Sequence, residues 1–165
     1  MTQVITVTNQ KGGVGKTTTT SALVCGLSQR GARVLGVDLD PQGNLGFTMG
    51  LDISECKTVY DVLTGSCRIG HAINHTRYGD ILASDIMLSQ QLDVVKPNYD
   101  FIIIDTPPAL NILTINAYVA STGLIVPMEA EVLSLVGVSQ IQDTIEAVRK
   151  SFNPNLKVLG ILLNK

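Results

Sequence analysis

Residues 9–18, Asn9-Gln10-Lys11-Gly12-Gly13-Val14-Gly15-Lys16-Thr17-Thr18, carry the reading from which the rest of the chain follows. A polyphosphate needs many hydrogen-bond donors and no side chains in the way. Glycines let successive backbone N–H groups curl around such an anion, and a helix N-terminus behind them adds partial positive charge. Gly12, Gly13 and Gly15 supply the curl, with Val14 between them. Lys16 is suited to neutralise β- and γ-phosphate oxygens. The Thr17 hydroxyl is suited to ligate Mg²⁺, with Thr18 following in the same turn. The strict pattern, Gly-x-x-x-x-Gly-Lys-Ser/Thr, is missed at its first position, where Gln10 stands. A second lysine, Lys11, directly precedes the double glycine. A chance glycine–lysine run in a turn would lack the right flanks. Here Val4-Ile5-Thr6-Val7-Thr8 reads as a strand running into the loop. Ala22, Leu23 and Leu27 mark a helix from Thr17 to about Gln29, ended near Gly31. The loop therefore predicts binding of MgATP.

Outward from the loop, short apolar runs alternate with helical patterns, without low-complexity tracts or internal repeats. Val34-Leu35-Gly36-Val37-Asp38 is a second strand, and Asp80-Ile81-Leu82-Ala83 a third. The stretch from Tyr99 to Asp105 holds Phe101-Ile102-Ile103-Ile104, a β-branched run bounded by Pro107-Pro108. Leu124-Ile125-Val126-Pro127 and Val158 to Leu163 complete the set. An amphipathic helix from about Leu133 to Lys150 carries Val138, Ile141, Ile145 and Val148 on one face, with Pro154 beyond it. Near-continuous apolar strands separated by helices predict an α/β fold of the P-loop NTPase kind. Its sheet is open and mostly parallel, with helices on both faces and right-handed crossovers. One domain, residues 1–165, accounts for the whole chain. Ligands of such sheets bind beyond the carboxyl ends of the strands, where each polar motif of this sequence falls.

Two of those strand ends are acidic. If the extended conformation continues through Asp38-Leu39-Asp40-Pro41-Gln42-Gly43-Asn44, alternation turns Asp38 and Asp40 to the same side. Two carboxylates there serve to hold a Mg²⁺ shell and orient an attacking water, which is most of what phosphoryl transfer asks of a protein. A polar turn of Asp, Pro, Gly and Asn is the competing reading, weakened by the nearby phosphate loop. Asp105 ends the apolar Phe101–Ile104 run. A lone carboxylate buried there is costly unless a cation meets it, and Mg²⁺ reached through water is the natural partner. Thr106-Pro107-Pro108 then forms a stiff loop suited to respond to a γ-phosphate.

Composition narrows the function classes. Apolar residues make up 45% and charged residues 16%, with mean hydropathy +0.28, as expected for a parallel sheet covered on both faces. The net charge of −2 does not advertise the basic face of a nucleic-acid binder. No apolar run reaches the roughly 18–20 residues of a membrane span, and the first residues lack the features of a secretory signal, so a cytoplasmic protein is expected. Cys25, Cys56 and Cys67 have no Cys-x-x-Cys spacing and suggest neither disulfides nor zinc. Cys67, His71 and His75 have helical spacing, but Gly70 interrupts them and a fourth ligand is lacking, so a solvated helix face is expected. Arg149-Lys150 suits a helix C-terminus, and Met49, Met87 and Met128 read as core or loop fillers.

Three motifs in order resemble those of the ParA/MinD group of deviant Walker-type ATPases, specifically its ParA branch. They are Asn9 to Thr18, Asp38 to Asn44, and Asp105-Thr106-Pro107-Pro108. Val126-Pro127 through Glu131, followed by Gly137-Val138-Ser139-Gln140, resembles the segment after that family's fifth strand. The resemblance implies an ATP-dependent homodimer in which Lys11 reaches the partner's phosphates. It implies that Lys16 and Thr17 hold phosphate and Mg²⁺, that Asp40 positions the hydrolytic water, and that Asp38 and Asp105 support the metal shell. Asn164 falls where some relatives use an asparagine on adenine. The implied role is segregation of plasmid or chromosomal DNA by slow ATP hydrolysis. Non-specific DNA and a ParB-like activator are the implied partners.

The chain departs from that family in two places. Residues 84–98, between the third and fourth strands, are fewer than the family uses, leaving room for only a short helix lined by Leu88, Leu92 and Val95. The sequence also ends at Asn164-Lys165, where relatives continue with further helices and a strand, so the fold is expected to be shortened there and to expose apolar surface. Two other functions compete. A MinD-like membrane-positioning ATPase needs an amphipathic C-terminal helix that this sequence lacks. The other is a truncated nucleotide-binding module without DNA binding; Lys11, Asp40 and Asp105 argue against decay of its site but not against truncation.

Overall fold

A computed structural model describes residues 1–52, 56–58, 61, 66–83, 89–129 and 134–164; the side chains of 89–91 and 134–138 are outside that set. The most apolar run sets the centre. Ile102, Ile103 and Ile104 have no exposed surface, because β5 (Phe101–Asp105) is flanked by β1 (Gln3–Val7) on one side and β2 (Val34–Asp38) on the other. Alternation sends Ile102 and Ile104 into one core and Ile103 into another, so both faces of this strand must be covered. Full burial of each isoleucine stabilises the fold by about 1.5–3 kcal/mol relative to exposure.

The covering elements follow from the connections. α1 (Lys16–Gln29) and the short α2 (Asn44–Thr48) lie over the face holding Val7, Val34, Ile81 and Ile103. The other face holds Val4, Leu35, Val37 and Ile104. It is packed by α3 (Ile69–Ala72), α4 (Ser89–Val95) and α5 (Ile112–Ala120). α6 (Ser134–Ser151) lays Ile141, Ile145 and Val148 against Leu124 and Val126 of β6 (Gly123–Met128), as its periodicity predicts; Val138 lies outside the described side chains. α1 ends where predicted, with Gly31 at φ 86 and its N–H on the Ser28 carbonyl.

Seven strands among the described residues form one sheet in the order β3-β4-β2-β5-β1-β6-β7. Every pairing is parallel except that between β3 (Ile73–Thr76) and β4 (Gly79–Leu82). That hairpin corrects the helical reading of the histidines. His71 lies on the short α3, but His75 is on β3, directly opposite Asp80, and its Nδ1 is 2.7 Å from the Asp80 carboxylate. The Tyr99 hydroxyl donates to the other Asp80 oxygen at 2.6 Å. No group of three His, Cys, Asp or Glu side chains arranged to hold a metal occurs among the described residues. The shortened crossover does hold a one-sided helix: Leu92 and Val95 of α4 are buried, while Leu88 lies outside the described residues.

Among the described residues β7 (Lys157–Leu163) pairs with β6 alone. Its apolar run reads as a buried strand, yet Val158, Leu159, Ile161, Leu162 and Leu163 are between 41% and 66% exposed.

Two strand glycines test this packing. A Cβ on Gly36 would lie 2.7 Å from the Ile81 side chain and 3.1 Å from that of Val24, whereas one on Gly160 would meet nothing within 4 Å. Gly36→Val is therefore expected to lower stability by about 1–3 kcal/mol in urea denaturation. Gly160→Val should change it by less than about 0.5 kcal/mol.

Candidate nucleotide-binding site

The site forms where β1, β5 and β2 end side by side. Val7 and Asp38 both stand in register with Asp105, so the loops after β1 and β2 leave the sheet around one buried carboxylate. The chain after β1 is fixed by its neighbour β6. The Thr8 N–H donates to the Ile125 carbonyl at 3.0 Å, and the Asn9 side-chain amide donates to the Pro127 carbonyl at 2.7 Å. Asn9 Oδ1 then accepts from the Lys11 N–H at 2.9 Å, which turns the backbone into the glycine loop.

Gly13 and Gly15 take positive φ angles of 77° and 88°, and Gly15 directly precedes α1. A Cβ on Gly15 would also collide with the Asn164 side-chain amide. The N–H groups of Gly12, Gly13 and Gly15 meet no acceptor at hydrogen-bonding geometry among the described residues. They surround a cavity of about 510 Å³ lined by Gly12, Gly13, Gly15, Lys16, Thr17 and Thr18 on one side. Asp40, Gln42, Asn44, Thr48 and Pro108 line the other. A larger cavity of about 580 Å³ lies at the amino ends of the strands, near Arg33, His75 and Tyr99, away from these donors. Chemistry favours the smaller one.

Charge at the smaller cavity is unbalanced in a way that fits a phosphate and a cation. Lys16 is only 7% exposed, its ammonium donates to the Lys11 carbonyl at 3.1 Å, and no ion pair holds it among the described residues. Burial pulls its pKa down, against the opposing pull of Asp105 and Asp40. Asp105 accepts the Thr17 hydroxyl at 2.6 Å and that of Thr20 at 3.3 Å. With its proton committed to Asp105, the Thr17 oxygen keeps its lone pairs for a metal. Burial pushes the Asp105 carboxyl up to about 6, with the Thr17 bond and Lys16 pulling it back. Such carboxylates are what a nearby divalent cation would relieve. The donor set fits MgATP.

The two acids after β2 separate. Asp38 is fully buried and does not reach the cavity wall. Its oxygens accept backbone N–H groups from Asp40 at 3.0 Å, Leu45 at 3.0 Å and Gly46 at 3.4 Å. It thus shapes the loop that carries Asp40 to the cavity. Burial, and then the charge of Asp105, push Asp38 up to about 7. The Asn164 amide donates to the Val14 carbonyl at 3.0 Å, and its backbone N–H to the Met128 carbonyl at 2.8 Å, so it braces the loop from behind. Lys11 points away from the cavity, and its ammonium meets Glu129 at 2.8 Å. The sequence motifs do not single out Glu129, Thr20 or the bracing by Asn164.

A family model described as an AAA domain matches residues 2–90 and 81–158. The sporulation initiation inhibitor protein Soj of Bacillus subtilis (strain 168) is 38% identical over 185 residues, covering 99% of this chain and 72% of that protein. The chromosome partitioning protein ParA of Caulobacter vibrioides (strain NA1000 / CB15N) is 37% identical over 183 residues, covering 98% of this chain and 68% of that protein. A crystal structure of cobyrinic acid a,c-diamide synthase from Mycobacterium smegmatis with bound ADP and magnesium superposes with a TM-score of 0.91 at 37% identity. That match covers 99% of this chain and 74% of the other.

Two measurements probe the site without ligand. Asp38 and Asp105 hold protons in the fold well above the ordinary carboxylate value of 3.8. Between about pH 4 and 7 the folded protein therefore binds more protons than the unfolded chain, and stability falls as pH rises through that window. Urea denaturation of nucleotide-free protein should give a higher midpoint at pH 5.5 than at pH 8, with a shallower dependence in Asp105→Asn. Gly15→Ala should lose about 1–2 kcal/mol of stability through its positive φ and the Asn164 contact. Gly12→Ala should lose little in the same assay.

Proposed function

Because this chain belongs to the ParA branch of the ParA/MinD group of P-loop ATPases, within the AAA domain family, we propose that it is a MgATP-driven switch in DNA segregation. ATP and Mg²⁺ are its cofactors. It associates as a homodimer with ATP, hydrolyses slowly, and is released by a ParB-like activator. The observation that carries this reading is a buried Lys16, without an ion pair among the described residues, set beside a Thr17–Asp105 hydroxyl–carboxylate pair at the glycine loop, whose N–H groups meet no acceptor among those residues.

Each residue then has a task. Gly12, Gly13 and Gly15 donate backbone N–H groups to phosphate oxygens, and Lys16 neutralises their charge. Thr17 would offer its oxygen to Mg²⁺, since Asp105 holds the Thr17 proton, and the Asp105 carboxylate would support the metal. When bound, Mg²⁺ would supply neutralisation of phosphate charge. Asp40 lines the cavity opposite Lys16, where it orients the attacking water; Asp38 sets the loop that places it. Asn164 fixes the loop's curvature through Val14. Its carbonyl oxygen is the group for adenine. Lys11, outside its own cavity, is the cation for a partner protomer's phosphates.

Segregation of DNA is the role, carried out in the cytoplasm. Among the described residues no helix is long and apolar enough to cross a membrane. With a net charge of −2, contact with non-specific DNA rests on a few local cations and on the assembled dimer.

Lys16→Ala is expected to abolish binding of a fluorescent ATP analogue; tight binding by this variant would refute the phosphate-loop assignment. Asp40→Ala should bind the analogue normally while turnover falls by roughly a hundredfold or more. Light scattering should show a monomer with ADP and a dimer with a non-hydrolysable ATP analogue plus Mg²⁺. A monomer in both would refute the switch.

A further inference from the structure

Lys11 and Glu129 are 118 residues apart in the chain, yet their side chains meet at 2.8 Å. Both ends of this contact are anchored by backbone-directed bonds. Glu129 directly follows β6, whose last residues are held to the glycine loop by Asn9 on the Pro127 carbonyl at 2.7 Å. Asn164 adds its N–H on the Met128 carbonyl at 2.8 Å and its side chain on the Val14 carbonyl at 3.0 Å. Lys11 is fixed at its N–H by Asn9 at 2.9 Å, and its carbonyl in turn holds the Lys16 ammonium at 3.1 Å. The carboxylate is thus not a passing surface partner; it stands on a platform built from the loop itself. Glu129 is 16% exposed at its side chain and Lys11 40%.

We infer that Glu129 is a resident counter-anion of Lys11, a clasp that a nucleotide phosphate from a second protomer must displace before two chains can associate. This inference rests on the proposed ATP-dependent dimer and adds its regulation. An ammonium drawn to the carboxylate beside its own loop must leave it to reach a phosphate on another protomer, so the two anions compete. A half-exposed pair contributes modestly, on the order of a threefold to tenfold change in an equilibrium when it is removed. Glu129 therefore tunes the threshold of association without touching the cavity in which nucleotide sits.

The test has two arms, both using the full chain. In the first, dilute protein without nucleotide is treated with an amine-acylating ester, and the rate at Lys11 is followed by peptide mass spectrometry. Glu129→Gln should speed acylation at Lys11 severalfold, with little change at Lys57 or Lys157. Equal rates would overturn the clasp, whatever ATP does to association.

In the second arm, light scattering follows dimerisation as the non-hydrolysable ATP analogue and Mg²⁺ are titrated. Glu129→Gln should need about threefold to tenfold less analogue than the wild type, with unchanged affinity for a fluorescent ATP analogue at monomer concentrations. Glu129→Asp should fall between. The double variant Lys11→Ala, Glu129→Gln should behave as Lys11→Ala alone. Unchanged or weaker dimerisation of Glu129→Gln, with normal melting, would overturn the competition. A wild type that dimerises only near saturating analogue, while Glu129→Gln dimerises well below it, would support a tight clasp. Monomers in both, with faster acylation in the variant, would refute the dimer reading and with it the regulatory role.

Discussion

The site depends on one electrostatic constraint: two carboxylates, Asp38 and Asp105, buried side by side at the ends of adjacent parallel strands. Like charges in a low-dielectric core repel and lose their hydration, so something must compensate each. For Asp38 the compensation is backbone: three N–H groups from the loop and from the start of α2. For Asp105 it is the hydroxyls of Thr17 and Thr20 on α1. The same repulsion therefore pins α1 and α2 to the strand ends and sets the cavity between them. Lys16 sits close enough to feel Asp105 and Asp40 without pairing with either. What remains is a positive, donor-rich pocket above a proton-hungry floor.

Much of this was legible in the residues. Glycine spacing, Lys16 and Thr17 fix the loop, since few other contexts place those types between a strand and a helix. The Phe101–Asp105 run fixes the central strand, because three β-branched residues in a row need cover on both faces. Other features were not legible, for identifiable reasons. The role of Asp38 depends on N–H groups seven and eight residues further on, which carry no side-chain signature. His71 and His75 have helical spacing by coincidence, and a hairpin register opposite Asp80 decided the placement of His75. α5, Ile112-Leu113-Thr114-Ile115-Asn116-Ala117-Tyr118-Val119-Ala120, is apolar around much of its circumference and offers little periodicity to read.

The Lys11–Glu129 contact was invisible for a different reason. Sequence motifs report residues that face a ligand, whereas this pair faces away from the cavity and joins segments distant in the chain. The end of β6 is therefore part of the phosphate loop's mechanical support even though it contributes nothing to the cavity's lining. Asn9, whose side chain bonds both Pro127 and Lys11, is the hinge of that arrangement.

The exposed strand β7 has a consequence of its own. Among the described residues it is held on one side only, so its amides should exchange with solvent by local breathing at a lower free energy than those of β1 or β5, which are paired on both sides. Asn164, the residue after this strand, grips Val14. Each opening of the edge thus slackens the curvature of the glycine loop. By mass action, a ligand seated in the loop must damp fluctuations at an edge it never touches. Edge dynamics and phosphate affinity are two readouts of one equilibrium.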